Sequence, residues 1–303
     1  MPPLVGGFFS PYLAHVMTRP DHALIFFSFA LLSRLPLRVN HAIGAALGWL
    51  VWVVPNRLKQ NTLENIARCF VDKDPSWQKS TARASLIEMG KALTEAPWLW
   101  RAGPKRIQAL RQVGENEHLL EEALRSKTGV FLVSPHLGSW EFAGLQAASF
   151  GPMTSMYRPP RAHWLDEPIR RARSATGAKL APADRSGLRM IRDALQTGGI
   201  VGLLPDQKPK RGQGIPALFF GQPALTMTLL PKLARQHSAR VLFAFAERLP
   251  KGQGYRYRCV PTPKDLFNPD VGLATQALNQ AIEQLVRQCP NQYVWSYERF
   301  GDL

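Results

Sequence analysis

Beyond Gly114 the chain alternates short, unbroken apolar runs with stretches of helical period, and that alternation limits the fold more than any other feature of its 303 residues. Residues 129–134 (Gly-Val-Phe-Leu-Val-Ser) form the purest run. Apolarity without alternation marks a strand covered on both faces. Similar runs at 153–157, 178–181, 200–204 and 241–246 predict further buried strands. Residues 255–260 alternate instead and predict an edge strand. Helical patterns fall at 115–126, 140–149, 163–176, 187–196, 224–236 and 271–288. Strands interleaved with helices predict an α/β fold, a sheet flanked by helices. Sites on such sheets form in the loops that leave the C-terminal ends of the strands.

The first part of the chain reads differently. From Asn56 to about Gln112 the pattern is helical. Asp74-Pro75 is a strong helix start, an N-cap acid followed by Pro at the first helical position. Leu86, Met89 and Leu93 then recur at helical spacing, and the stretch ends in Pro97-Trp98-Leu99-Trp100-Arg101. Its two Trp residues suit either a packed core or a bilayer surface. Upstream lie two apolar runs, 24–32 and 42–54, interrupted by Arg34, Pro36 and Arg38. Neither has the ~18–20 residues that a lone spanning helix needs. Residues 1–22 carry one Arg and no Lys, a poor start for a signal peptide. Phe8, Phe9, Trp49 and Trp52 suit an interfacial belt, and Arg34, Arg38, Arg57 and Lys59 flank the runs. The closeness of the two runs predicts a membrane anchor, re-entrant or spanning with help from residues 10–22, rather than two core helices.

Charge narrows the partners. Lys and Arg number 38 against 22 Asp and Glu, a net +16, which favours polyanions: nucleic acid, anionic lipid or an acidic carrier protein. No RNP-like, helix-turn-helix or zinc pattern accompanies that charge, so nucleic acid is the weaker choice. The 45% hydrophobic content excludes a disordered chain. Cys69, Cys259 and Cys289 form no CxxC pair and no zinc spacing, so no metal site is expected, and the sparse set fits a reducing compartment.

One loop carries candidate chemistry. Ser134-Pro135-His136-Leu137-Gly138-Ser139-Trp140-Glu141 directly follows the strongest strand. On a regular helix, residues five apart sit about 140° apart and share no face. With His136 ahead of the helix and a tight turn at Gly138, Glu141 can fold back to the imidazole. A carboxylate on one ring nitrogen fixes the tautomer and frees the other nitrogen to accept a proton. Such a pair deprotonates a hydroxyl that attacks an acyl group. The alternative is an inert His at a helix start, since His-x4-Glu recurs by chance. Ser139 lacks both glycines of a nucleophile elbow and reads as a helix-start residue. No HExxH, Walker A or dinucleotide fingerprint occurs.

The segment 135–141 resembles the His-x4-acid motif of the glycerolipid acyltransferase superfamily. More closely it resembles the bacterial lipid A late acyltransferases, the lauroyl and myristoyl group, whose motif often reads His-Leu-Gly-Asn-Trp-Glu. Other blocks follow in the family's order. They are Tyr157-Arg158-Pro159, Arg173 with Gly177, Leu204-Pro205-Asp206-Gln207 with Gly212 or Gly214, Phe219-Phe220-Gly221 with Thr226, and Pro290-x-Gln292-Tyr293-x-Trp295. The resemblance covers roughly residues 20–300. The chain departs from the pattern at Ser139, at Lys208-Pro209-Lys210-Arg211 after the Asp-Gln pair, and at Ser296-Tyr297-Glu298-Arg299-Phe300.

The resemblance implies a glycerolipid-acyltransferase-like mixed sheet in an acyltransferase domain over 56–303, with a helical lead-in at 56–126. Residues 1–55 would be the membrane-anchoring helical segment. It implies an O-acyltransferase that uses acyl-acyl-carrier-protein, or acyl-CoA, as co-substrate and no cofactor. The acceptor would be a hydroxyl of a lipid A precursor at the cytoplasmic face of the bacterial inner membrane. His136 would take the hydroxyl proton and Glu141 would orient it. Arg158, or backbone N–H groups around Gly138, would stabilise the developing oxyanion. Arg161, Arg170, Arg171 and Arg173 are candidates for phosphates or an acidic carrier protein. Asp206, beside Gln207, would orient Arg158 or Arg173, and Phe219 and Phe220 would line an acyl groove or pack in the core. The departures leave open another lysolipid acceptor, a lysophospholipid or an amino-acid lipid. A non-enzymatic lipid-binding relative also remains.

Overall fold

The computed structural model describes residues 20–114, 116–125, 128–160, 162–210 and 212–301. Phe8, Phe9, Arg161 and Arg211 lie outside the described residues. Helices come first: α1 (Pro20–Leu32), α2 (Leu37–Val53), α3 (Arg57–Cys69), α4 (Pro75–Arg101) and the short α5 (Pro104–Ala109). The α/β part follows as β1 (Arg111–Gln112), α6 (Glu117–Arg125), β2 (Val130–Val133), α7 (Trp140–Ala147), β3 (Met153–Tyr157), α8 (Asp166–Ser174), β4 (Lys179–Pro182), α9 (Arg185–Gln196) and β5 (Ile200–Leu203). A hairpin, β6 (Gly214–Phe219) and β7 (Gln222–Met227), leads to α10 (Leu229–Gln236), β8 (Arg240–Arg248), β9 (Tyr255–Val260) and α11 (Val271–Gln288).

The main sheet has the order β1-β9-β8-β2-β5-β3-β4. Strands β8, β2, β5, β3 and β4 are mutually parallel, and β9 runs antiparallel to β8. This is a mixed, mostly parallel sheet with helices on both faces, as the alternation predicts. Period two divides its side chains. Phe131, Val133, Val201, Leu203, Phe243 and Phe245 face a core shared with α9, α10 and α11. Val130, Leu132, Ile200, Leu242 and Ala244 face a second core shared with α6, α7 and the end of α4. Each large apolar side chain buried this way contributes about 1.5–3 kcal/mol.

Two expectations are corrected. Strand β9 is not the edge, because the two-residue β1 pairs outside it; its alternation comes from Tyr255 and Tyr257, both buried, against the less buried Arg256 and Arg258. The helix expected at 224–236 starts only at Leu229, since residues 222–227 form β7. The cause is the turn at Phe220-Gly221, where φ is +51° and +73°, the left-handed pair that favours a two-residue hairpin loop. Helix α4 runs through Pro97 to Arg101 with Asp74 capping its start, and Leu93 faces outward at 61% exposure.

Helix α2 packs on α4 through its smallest and most polar residues. Asn40, His41, Gly44 and Gly48 are its buried positions beside Leu37. The backbones meet so closely that a methyl group on Gly90 would lie 2.0 Å from the Gly44 carbonyl oxygen. The opposite face exposes Val39, Ile43, Leu47, Trp49, Leu50 and Val53. Among the described residues no single helix is long and apolar enough to cross a membrane; α2 and α3 together pass that test as a pair bent by 84°.

Candidate active site

Strands β2 and β5 are neighbours, with Val133 opposite Leu203. Beyond each, the chain continues through one residue and a proline, Ser134-Pro135 and Leu204-Pro205, to His136 and Asp206. Equal remove from paired positions carries the two side chains to the same height above the C-terminal edge of the sheet. His136 Nδ1 lies 2.8 Å from Asp206 Oδ1, and the His136 backbone N–H donates to Asp206 Oδ2 at 2.8 Å. Asp206 is 3% exposed. Burial pushes its carboxyl up, but the His136 imidazole and these two hydrogen bonds outweigh burial and hold it below its ordinary value of 3.8. Burial, and the nearby Asp206 carboxylate, push the Tyr293 hydroxyl well above its ordinary pKa.

With Nδ1–H given to Asp206, His136 Nε2 is the accepting nitrogen. The Gln207 side-chain amide sits 3.3 Å from Nε2, and the Trp140 ring meets the imidazole edge-on at 5.4 Å. Part of the ring reaches a cleft of about 1250 Å³. Leu132, Met153, Met156, Leu180, Leu188 and Met227 form its apolar wall. Arg158, Arg185, Lys208, Lys210 and Lys232 supply positive charge along it.

Glu141 does not pair with His136. It begins the first turn of α7, and its carboxylate is taken by the Arg173 guanidinium of α8, through Nη2 to Oε1 and Nε to Oε2. Trp100 Nε1 donates to the same carboxylate at 2.8 Å. Burial raises the Glu141 carboxyl, but Arg173 and Trp100 bring it below its ordinary value. Glu141 and Arg173 both line the cleft, so the motif acid shapes the wall while Asp206 holds the ring. Asp206 accordingly contacts neither Arg158 nor Arg173, the partners expected for it. Arg173 is committed to Glu141 and stacks over Tyr157 at 5.5 Å, which removes it from the expected phosphate ligands. Arg158 is exposed on the cleft; Arg170 and Arg171 are exposed on α8, where Arg171 pairs with Glu167.

Gly138 makes the tight turn expected of it, at φ +64°, and a methyl there would lie 2.1 Å from the Ala246 carbonyl oxygen. Its N–H cannot serve an oxyanion, because it donates to the Gln292 carbonyl. Leu137 N–H donates to Pro135 and Ser139 N–H to Ala246, so the loop's backbone donors from His136 to Ser139 all point into the protein. Phe219 and Phe220 belong to the core; Phe220 meets Phe70 and Trp295 edge-on or tilted. The Gln292–Trp295 segment runs beneath the site loop, bridging Leu137 to Tyr293 and giving the Val294 N–H to the His136 carbonyl. Trp100, Tyr293 and Gln292 are thus parts of the site. No spacing marked Trp100; the ordered C-terminal block held the other two.

A His–Asp pair stands at the C-terminal edge of a mostly parallel sheet, on a cleft with an apolar wall and a basic margin, an arrangement that can take up a proton beside apolar surface. The chain belongs to the bacterial lipid A biosynthesis acyltransferase family, which it matches over residues 9–301, and it is an acyltransferase. It is 26% identical to the lipid A biosynthesis lauroyltransferase of Escherichia coli K12 over 275 residues, 89% of this chain and 88% of the relative. The palmitoleoyltransferase of the same organism is 25% identical over 268 residues, covering 88% and 86%. A lipid A biosynthesis acyltransferase of Haemophilus influenzae is 26% identical over 276 residues, covering 89% and 84%.

Proposed function

We propose that the protein moves a fatty acyl chain from acyl-acyl-carrier-protein to a hydroxyl of a lipid A precursor, with His136 as general base. The observation that carries this reading is the His136–Asp206 pair, bonded at 2.8 Å through the ring and again through the backbone, with His136 lining the cleft and Nε2 left out of that pair. The acceptor hydroxyl gives its proton to Nε2 as its oxygen attacks the thioester carbonyl carbon. Asp206 stabilises the imidazolium that forms. The tetrahedral intermediate then collapses, the C–S bond breaks, and the imidazolium returns the proton to the thiolate. The products are an ester and a free thiol.

The carbonyl oxygen carries negative charge in the intermediate. With the loop's backbone donors used internally, the Gln207 amide beside Nε2 and the exposed Arg158 are the donors that fit. The apolar wall suits the acyl chains, and Lys208, Lys210 and Lys232 suit phosphates of an anionic acceptor or an acidic carrier protein. The outward apolar face of α2 supports attachment of residues 1–55 to the cytoplasmic face of the inner membrane, since so much contiguous apolar surface is rare on a free protein.

The test is transfer from acyl-carrier-protein thioesters of several chain lengths to lipid A precursors of defined acylation, read by mass spectrometry. The expected product gains one acyl chain, and H136A forms none of it. An intact precursor alongside acylated lysophospholipid would move the acceptor to the glycerolipids.

A further inference from the structure

Bonded to Gly138 and Ser139 of the site loop, and not to His136 or Asp206, lies a buried ion pair that the acyl-transfer steps do not use. Glu95 of α4 and Arg248 at the end of β8 each have side chains only 2% exposed. They meet through two parallel bonds, Nε to Oε2 at 2.7 Å and Nη2 to Oε1 at 2.6 Å. A buried pair of this kind is weak evidence for stability, because desolvation cancels much of the attraction. Its contacts give it another use. Glu95 Oε1 accepts from the Ser139 hydroxyl at 2.7 Å, and Arg248 Nη2 donates to the Gly138 carbonyl at 3.1 Å. The Arg248 backbone is clasped at both its N–H and C=O by the Gln292 side chain, and the Gln292 backbone carbonyl receives the Gly138 N–H.

The remaining capacity of Glu95 is filled from two further elements. His41 of α2 and Tyr255 of β9 each reach Oε2 at 2.8 Å. Burial raises the Glu95 carboxyl, but Arg248 and His41 reverse this and hold it well below its ordinary range. It is therefore a fixed anion with a full set of donors. Asp206 fixes His136 at one end of the loop, and this pair grips Gly138 and Ser139 further along it.

We propose that Glu95 and Arg248 are positioning residues for acyl transfer, acting through Ser139 and Gly138 to hold the imidazole at its working angle. The inference rests on His136 being the base. A misplacement of the base by a fraction of an ångström lowers the rate of the chemical step more than it weakens substrate binding. Loss of Glu95 itself leaves the buried Arg248 with only Glu88, at 2.9 Å from Nη1, to balance its charge and endangers folding, so the decisive variant is S139A, which leaves the ion pair whole. S139A is expected to lower kcat about tenfold with KM unchanged and the melting temperature lowered by no more than the one lost hydrogen bond accounts for. S139N, which keeps a donor for Glu95, is expected to recover most of that loss. In E95Q protein that folds, adding S139A is expected to cost less than in the wild type, because the two changes break one linkage. Wild-type kcat in S139A, or a fall matched by a lower melting temperature and unrelieved in S139N, overturns the proposal while an inactive H136A leaves the general-base reading standing. Full activity in H136A overturns both.

Discussion

Two carboxylates flank the same cleft, and their sequence positions mislead about which serves the imidazole. Glu141 follows His136 by five residues, yet its oxygens are held by Arg173 and Trp100. Asp206 lies seventy residues away and holds His136 twice at 2.8 Å. Register makes the difference. The β2–β5 pairing sets two strand exits side by side, whereas the turn at Gly138 sends the start of α7 toward α8. The comparison teaches that one acid governs the tautomer of the base and the other the shape of the wall it works against.

The largest effects test the Asp206 side. H136A is expected to lose about 10²–10⁴ in kcat, the range of a missing general base. D206N is expected to lose a similar amount with KM little changed, because the amide no longer fixes Nδ1–H or balances the imidazolium. Steady-state kinetics on purified protein in detergent checks both. A D206N variant with more than a tenth of wild-type kcat would return the orienting role to another group.

E141Q probes the other side. It leaves the Arg173 guanidinium, 31% exposed, without its anion. The expected cost is about 1–3 kcal/mol of stability, below the figure for a fully buried pair because water reaches part of the arginine. Activity should fall with it, and the double variant E141Q/R173M should regain melting temperature relative to E141Q. If E141Q instead matches D206N in kcat at an unchanged melting temperature, Glu141 acts on the reacting groups and the contrast between the two acids fails.

Acid should erase both contributions together. Asp206 and Glu141 have carboxyl pKa values below their ordinary 3.8 and 4.5 in the folded protein. Each therefore stabilises the fold above its ordinary value, and that stability is lost as pH falls through the depressed folded value. Denaturant titrations from pH 7 to pH 3 should show wild-type stability dropping below about pH 4.5. D206N and E141Q should each show a shallower drop.

Much of this was legible beforehand. Unbroken apolar runs located β2 and β5, and Asp74-Pro75 located the start of α4, because these signals are local. The Phe220-Gly221 hairpin was hidden by apolar residues that fit a helix as well as a strand. The His136–Asp206 pair leaves one trace in the sequence: strand, one residue, proline, then the functional residue, twice. That symmetry becomes a contact only when β2 and β5 are known to be adjacent, and adjacency is a property of the whole sheet. Glu95 and Arg248 gave no warning at all, since a lone acid on a long helix and a lone arginine at a strand end are ordinary surface residues until both are buried.

The smallest effect separates the two acids most cleanly. Trp100 donates its one side-chain N–H to Glu141 at 2.8 Å, leaving none for His136 or Asp206, while its ring meets Phe29 edge-on at 6.3 Å. W100F keeps an aromatic ring and removes that donor. A charge-assisted hydrogen bond lost in this way costs about 1–3 kcal/mol when the acceptor is left short, and less here because Arg173 still occupies both Glu141 oxygens. About 1 kcal/mol and a kcat within twofold of wild type are expected, measured by denaturant melts and steady-state kinetics on the same preparation. Because the indole N–H bonds only the wall-forming acid, a tenfold or greater fall in kcat at unchanged stability would mean that the wall and the base are one device, and that the division of labour between Glu141 and Asp206 is wrong.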